Sequence, residues 1–244
     1  MDENAFLRNI KFLYFSPSRF LEKNSDKKWT KILVQLLVFY TLYIVAGAFL
    51  DLILFFINNG SVLPIEILSW TFLTIQSIIG KVIIISIILF SVSGLIHLLL
   101  KITKTHSKYL INVKSVSYSL LIWVIYGFII LIASFIIQMT IPINESYLQG
   151  IISTSDVTNI IQLYKLHFSQ PGAIILLIIG IIQVAHFLVF LSKSVSYFNK
   201  IKIVKSALIC ISSLVIVIIA LFLIWIGYFY VNNYLTDPYG ARFS

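Results

Sequence analysis

Five apolar stretches, each long enough to cross a lipid bilayer, dominate this chain, and the short segments between them hold most of its cations. About 20 apolar residues in α-helical form cover the roughly 30 Å hydrocarbon core. In lipid every backbone polar group must be satisfied within the structure, which favours helices for runs of this length. The stretches run from Ile32 to Ile57, Ile78 to Leu100, Val116 to Gln138, Ala173 to Leu191 and Ile203 to Val231. Proline would break a helix interior. Pro17, Pro64, Pro142, Pro171 and Pro238 all lie outside the five stretches. The expected fold is therefore an all-α, polytopic membrane bundle of five transmembrane helices. Charged residues make up 11% of the chain, against about 25% in a typical soluble domain. The mean hydropathy is +1.00. Five spans and their connections leave no room for a soluble domain, so the chain divides into an N-terminal segment (1–31), one membrane domain (32–231) and a short tail (232–244).

The net charge of +9 is topological and gives no reason to invoke nucleic acid. Cytoplasmic flanks of membrane proteins carry an excess of Lys and Arg. Here the segment from Arg8 to Lys31 is basic, as are the second loop (Lys101, Lys104, Lys108, Lys114) and the fourth (Lys193, Lys200, Lys202, Lys205). The first loop has no Lys or Arg, the third only Lys165 and the tail only Arg242. This alternation predicts a cytoplasmic N-terminus and an external C-terminus. Asn-x-Ser patterns at Asn59 and Asn144 fall in loops placed outside, a weak agreement because the pattern is short.

The first span reads as its own insertion signal. Before it, Phe6, Ile10, Leu13 and Tyr14 share one helical face, with Arg8 and Lys11 off it. That pattern suits a helix in the cytoplasmic interface, or one packed on the protein. Ser16-Pro17 predicts a helix start, with Ser16 as cap. The helix runs through Phe20 and Leu21 toward Trp29, an expected interfacial anchor. In the third loop, Val157, Ile160, Ile161, Tyr164 and Phe168 predict a helix after Ser155 or Asp156. Small residues at Ala46, Gly47 and Ala48, and at Ser91, Ser93 and Gly94, predict close helix approach. Cys210 reads as a small core residue.

The pentapeptide KSVSY occurs twice, at Lys114–Tyr118 and Lys193–Tyr197. One copy enters an apolar stretch and the other leaves one, and their flanks do not align. They read as boundary markers at the head-group level, with a cation beside small hydroxyl residues and an amphipathic Tyr, and not as an internal repeat.

The combination of SPSRFLEK before the first span, GLIHLLLK closing the second, VSYSL opening the third and KSALICI opening the fifth resembles the Yip family of membrane proteins. These are the Ypt/Rab-interacting proteins and their prokaryotic relatives. The resemblance covers nearly the whole chain, in order. It implies a membrane protein without catalysis, whose eukaryotic relatives bind Rab-type small GTPases in vesicle traffic. The short N-terminal segment and the Ile and Lys bias point to a prokaryotic, archaeal member.

Ionisable residues inside a span are functional or structural pairing sites. Asp51 follows Lys31 by 20 residues and Lys81 precedes Lys101 by 20, so each sits about 30 Å above the cytoplasmic boundary. An Asp51–Lys81 ion pair is expected. Nearer the cytoplasmic face, His97, Tyr118, Ser119, Gln183 and His186 predict a polar layer that pairs helices or reads a lipid head group or partner helix. The two histidines lack further ligands for zinc, so no metal and no cofactor is expected. No acid pair beside a histidine, Gly-x-Ser-x-Gly, His-Glu-x-x-His or phosphate-cradling loop occurs, and the chain does not read as an enzyme. The leading expectation is a membrane scaffold or adaptor that contacts lipids and recruits a cytoplasmic protein. The alternatives are a transporter or permease subunit and an accessory subunit among neighbouring membrane proteins.

Overall fold

A computed structural model describes residues 13, 16–59, 64–140 and 171–236. Among them the chain is all-helical, with α1 (Pro17–Lys23), α2 (Trp29–Asn59), α3 (Pro64–Ile102), α4 (Tyr109–Thr140), α5 (Pro171–Asn199) and α6 (Ile203–Thr236). The expected helix at 155–168, the tail from 237 and most of the N-terminal amphipathic face lie outside the described residues. Proline opens α1, α3 and α5, where its fixed φ suits the first turn and its missing N–H would have had no helical partner. Ser16 makes no side-chain capping bond, so the start of α1 rests on Pro17 and not on the expected cap.

Helices α2 to α6 are each long and apolar enough to span a bilayer. Only 17% to 28% of the most apolar stretch of each is buried inside the bundle. Apolar surface on that scale needs a non-aqueous surrounding, and the chain is a multi-pass integral membrane protein. The helices extend past the expected spans, most of all at the start of α3 and the end of α5, because polar residues there, such as Thr71, Thr74 and Asn199, bond carbonyls of their own helix.

Helix α4 is the centre. It packs on α2, α3 and α5, while α6 sits between α3 and α5 and α1 lies against α5. Residues 112–120 of α4 are buried on every side. The buried side chains concentrate at one end: Ile32 and Leu36 of α2, Leu89 to Leu100 of α3, Val113 to Val124 of α4, Phe187 to Val195 of α5, and Ile209 and Cys210 of α6. That is the end where the lysines cluster. Toward the other end the helices present Leu68, Phe72, Ile218 and Ile224, each 64% to 69% exposed. Among the described residues the bundle is knitted at its lysine-rich end and open at the other.

Cys210 is fully buried in the main core, as its setting predicts. Close approach falls only partly where expected. A Cβ on Gly47 would lie 3.4 Å from Leu131 of α4, one on Gly94 would meet nothing within 4 Å, and one on Gly127 would come within 3.1 Å of the Tyr43 ring. The side chain that needs room is an aromatic on α2, and the glycine that provides it is on the central helix.

Candidate functional site at the lysine-rich end

Three chain segments meet at this end: residues 24–28 between α1 and α2, 103–108 between α3 and α4, and 200–202 between α5 and α6. Helix α1 is fixed through its last turn. Phe20 and Leu21 are buried with Leu13, Ile32, Tyr118, Ile122 and Phe190. The Phe20 ring stands edge-on to Tyr118 at 5.2 Å and to Phe190 at 6.0 Å. The Tyr118 hydroxyl donates to the Asn24 carbonyl at 3.1 Å, and the Asn24 amide donates to the Phe20 carbonyl at 2.7 Å. Lys114 Nζ donates to the Ser25 carbonyl and lies 4.9 Å over the Phe198 ring. A cation on the carbonyl end of a helix is favourable because that end carries partial negative charge.

The expected role of the first KSVSY as a boundary marker is thereby corrected. Lys114 is 7% exposed and Tyr118 1%, so this copy is core of the central helix. The second copy is different: Ser194 and Val195 are buried but Tyr197 is 41% exposed. The two copies lie on α4 and α5, the most extensively packed helix pair.

The two interhelical turns share one device. Thr105 N–H donates to the Leu100 carbonyl at 2.9 Å and Ile201 N–H to the Ser196 carbonyl at 3.2 Å, the long bond of a Schellman cap. The left-handed position is held by a lysine in each, Lys104 (φ 55) and Lys200 (φ 52). Glycine is the usual occupant, since a side chain there costs about 1 kcal/mol or more. Lys104→Gly and Lys200→Gly are each expected to raise stability by about 0.5 kcal/mol, the relieved strain less the extra freedom glycine gives the unfolded chain. Denaturant titration in micelles checks this, and a loss of stability would show that the lysine side chains hold the turns. Lys205 adds a tie, its Nζ donating to the Thr103 carbonyl at 3.2 Å and to Thr105 Oγ1 at 2.9 Å.

A buried amide relay joins the turns. Asn199 Nδ2 donates to Asn112 Oδ1 at 3.0 Å, and Asn112 Nδ2 donates to Ser107 Oγ at 2.9 Å. Asn199 Oδ1 is buried without a hydrogen-bond partner. Beside this relay lies a cavity of about 340 Å³ bordered by His106, Ser107 and Lys108 on one side and Phe198, Asn199 and Lys200 on the other. Outside the spans, burial pushes the Lys27 ammonium below its ordinary value, and Lys31 and Lys23 push the same way.

The residues expected to form one polar layer are divided among separate contacts. Tyr118 holds α1. The Ser119 hydroxyl donates to the Ser115 carbonyl of its own helix at 2.9 Å. Gln183 Nε2 donates to the Trp123 carbonyl at 3.0 Å, and His186 Nδ1 is 3.3 Å from the Tyr126 hydroxyl, both between α4 and α5. His97 stands apart, its ring 6.0 Å from that of Tyr109 and its Nδ1 buried without a hydrogen-bond partner. The sequence reading missed Lys114, Asn112, Asn199 and Ser107. A signal was present, since Asn112, Ser115 and Ser119, and likewise Ser192, Ser196 and Asn199, repeat at helical spacing at the margins of apolar runs.

Toward the open end, Asp51 and Lys81 border one cleft of about 290 Å³ together with Tyr43, Trp70, Thr74 and Ser77. Among the described residues no salt bridge joins the two charges. The expected ion pair is therefore not formed, and the charge-swapped protein, Asp51→Lys with Lys81→Asp, is expected to be no more stable than the single changes; a swap more stable by about 0.5–1 kcal/mol, the scale of an exposed pair, would show that the two charges meet. Equal stability of swap and singles would mean that the two charges act separately. No group of three metal-ligating side chains occurs among the described residues. Comparison of the chain with protein-family models, with characterised proteins and with solved structures gives no match.

Proposed function

We propose that the chain is a non-enzymatic membrane scaffold or adaptor of the Yip type, with its lysine-rich end in the cytoplasm and a protein partner recruited there. The observation that carries this reading is the knitting of that end. Tyr118 and Lys114 fix the segment after α1, Lys205 fixes the turn after α3, and the Asn199–Asn112–Ser107 relay joins the turns. Segments fixed in this way present their exposed cations in a set arrangement, which lowers the ordering cost of binding an acidic surface. Lys101, Lys104, Lys108, Lys200 and Lys202 are exposed there. By the family resemblance the partner is a small GTPase; by charge it is a protein with an acidic face.

A permease reading draws on the Asp51–Lys81 cleft, because an ionisable pair within the membrane marks solute or ion paths. The cleft and the lysine-rich cavity have no bordering residue in common, which favours the adaptor. Mild crosslinking in native membranes, extraction and mass spectrometry of the tagged protein test the choice against an equally apolar control. A partner in fixed ratio, crosslinked through Lys104, Lys108, Lys200 or Lys202, is the expected result. No enriched protein, together with solute flux in proteoliposomes, would overturn it in favour of the permease.

A further inference from the structure

We propose that the cleft bordered by Asp51 and Lys81 binds a zwitterion with a primary ammonium and a phosphate, the chemistry shared by an ethanolamine phospholipid head group and its deacylated, soluble counterpart. Such binding requires the membrane-spanning architecture and not the recruitment of a protein partner.

The two charges share a depth as well as a cleft. Asp51 follows Lys31 by 20 residues within α2, and Lys81 precedes Lys101 by 20 within α3. Both helices are continuous over those lengths, so each charge lies about 30 Å from the lysine-rich end, the thickness of the hydrocarbon core. That is the level of the opposite head groups. Helices α2 and α3 pack less closely on each other than either packs on α4. The small residues Gly47 and Ala48 of α2 and Ser77 of α3 border the opening between them, as does Leu131 of the central helix.

The charges are opposite and do not meet. Among the described residues Asp51 and Lys81 take part in no salt bridge or hydrogen bond, and the Tyr43 and Ser77 hydroxyls, which border the same cleft, take part in no hydrogen bond. Ionisable residues at the edge of the hydrocarbon are costly unless paired. A purely anionic or purely cationic ligand would pair one of these charges and leave the other. A zwitterion pairs both and brings no net charge with it. Hydrogen bonding selects the kind of cation. Thr74, also at the cleft, donates its proton to the Trp70 carbonyl at 2.9 Å, so its oxygen can only accept. The Asp51 carboxylate likewise only accepts, and a primary ammonium has three N–H donors to offer; a quaternary choline has none. Lys81 gives the phosphate a charge-assisted bond. The volume of about 290 Å³ lies at the small end of ligand sites, enough for a head group and not for acyl chains.

The full chain in phosphatidylcholine nanodiscs, doped with a photoactivatable phosphatidylethanolamine, tests the site, with labelled residues located by mass spectrometry. Labelling is expected within 43–51 and 70–81. Unlabelled phosphatidylethanolamine should compete roughly 10-fold better than phosphatidylcholine, which lacks the N–H donors, or phosphatidylglycerol, which lacks the cation. Changing the lipid leaves the protein untouched. D51N and K81Q should each lose roughly 10-fold in labelling, with the unfolding midpoint unchanged because both side chains are exposed. In D51N the preference for ethanolamine over choline should also vanish, which a general loss of fold would not produce. Glycerophosphoethanolamine competing as well as the lipid would assign the site to the soluble ester; competition by the acylated form alone would assign it to the membrane. Labelling elsewhere, labelling indifferent to D51N and K81Q, or equal competition by phosphatidylcholine would overturn the proposal. Competition by a free amino acid but not by phosphatidylethanolamine would also overturn it, and would turn the cleft toward the permease reading.

Discussion

Tyr118→Ala is expected to lower the unfolding free energy by about 3–5 kcal/mol, the scale of removing a buried aromatic ring, and to release α1 from the bundle. Tyr118 is 1% exposed and belongs to the cluster that buries Phe20 and Leu21. Its ring meets Phe20 edge-on, and its hydroxyl holds the carbonyl at the end of α1. Removing the ring therefore opens a cavity, ends an aromatic contact and takes away one of the two donors to the Asn24 carbonyl, leaving it the Lys27 N–H at 3.3 Å. Tyr118→Phe separates these effects. It keeps the ring and loses only the bond to Asn24, at about 1–2 kcal/mol. Unfolding titrations in mixed micelles give both numbers, and limited proteolysis reports whether residues 16–28 become accessible. If Tyr118→Ala unfolds like the parent and that segment stays protected, α1 is not held by this contact.

Asn199→Leu alone is expected to cost about 2–3 kcal/mol, because it leaves Asn112 Oδ1 buried without the donor that now reaches it at 3.0 Å. Asn112→Leu alone should cost a similar amount, since it removes both that acceptor and the donor to Ser107. With both replaced, no amide is left stranded between α4 and α5. The double variant should then be less destabilised than the sum of the two singles by about 1–2 kcal/mol. Strict additivity would mean that the two amides do not act as a pair.

The architecture was legible because the bilayer simplifies the reading: length, apolarity and the position of proline decide where a helix can span. Cys210 in the core and a short helix through Phe20 and Leu21 followed from pattern as well. Helix ends were less legible. Lys114, Ser115 and Ser117 look like an interface sequence, yet they are buried, at 7% exposure or less, because α4 is surrounded at that level. A cation is expected in water or head groups unless something satisfies it. Here the partners are the Ser25 carbonyl and the Phe198 ring, far away in sequence. The same limit applies to Asn112 and Asn199, which are 87 residues apart. Depth along each span placed Gln183 and His186 near the same level, but depth says nothing of rotation about the helix axis. Rotation sets Gln183 on the Trp123 carbonyl, Tyr118 on α1 and His97 beside Tyr109.

The functional reading stands or falls with the side of the membrane on which the lysine-rich end lies, and Cys210 makes that measurable. It is the only cysteine, and in a Cys210→Ala background Lys104→Cys and Lys200→Cys supply single exposed thiols. A membrane-impermeant maleimide is added to right-side-out and to inverted membrane vesicles. The expected result is labelling of both positions in inverted vesicles alone. Labelling from the outer side would contradict the account and place the basic face, its cavity and any partner outside the cell.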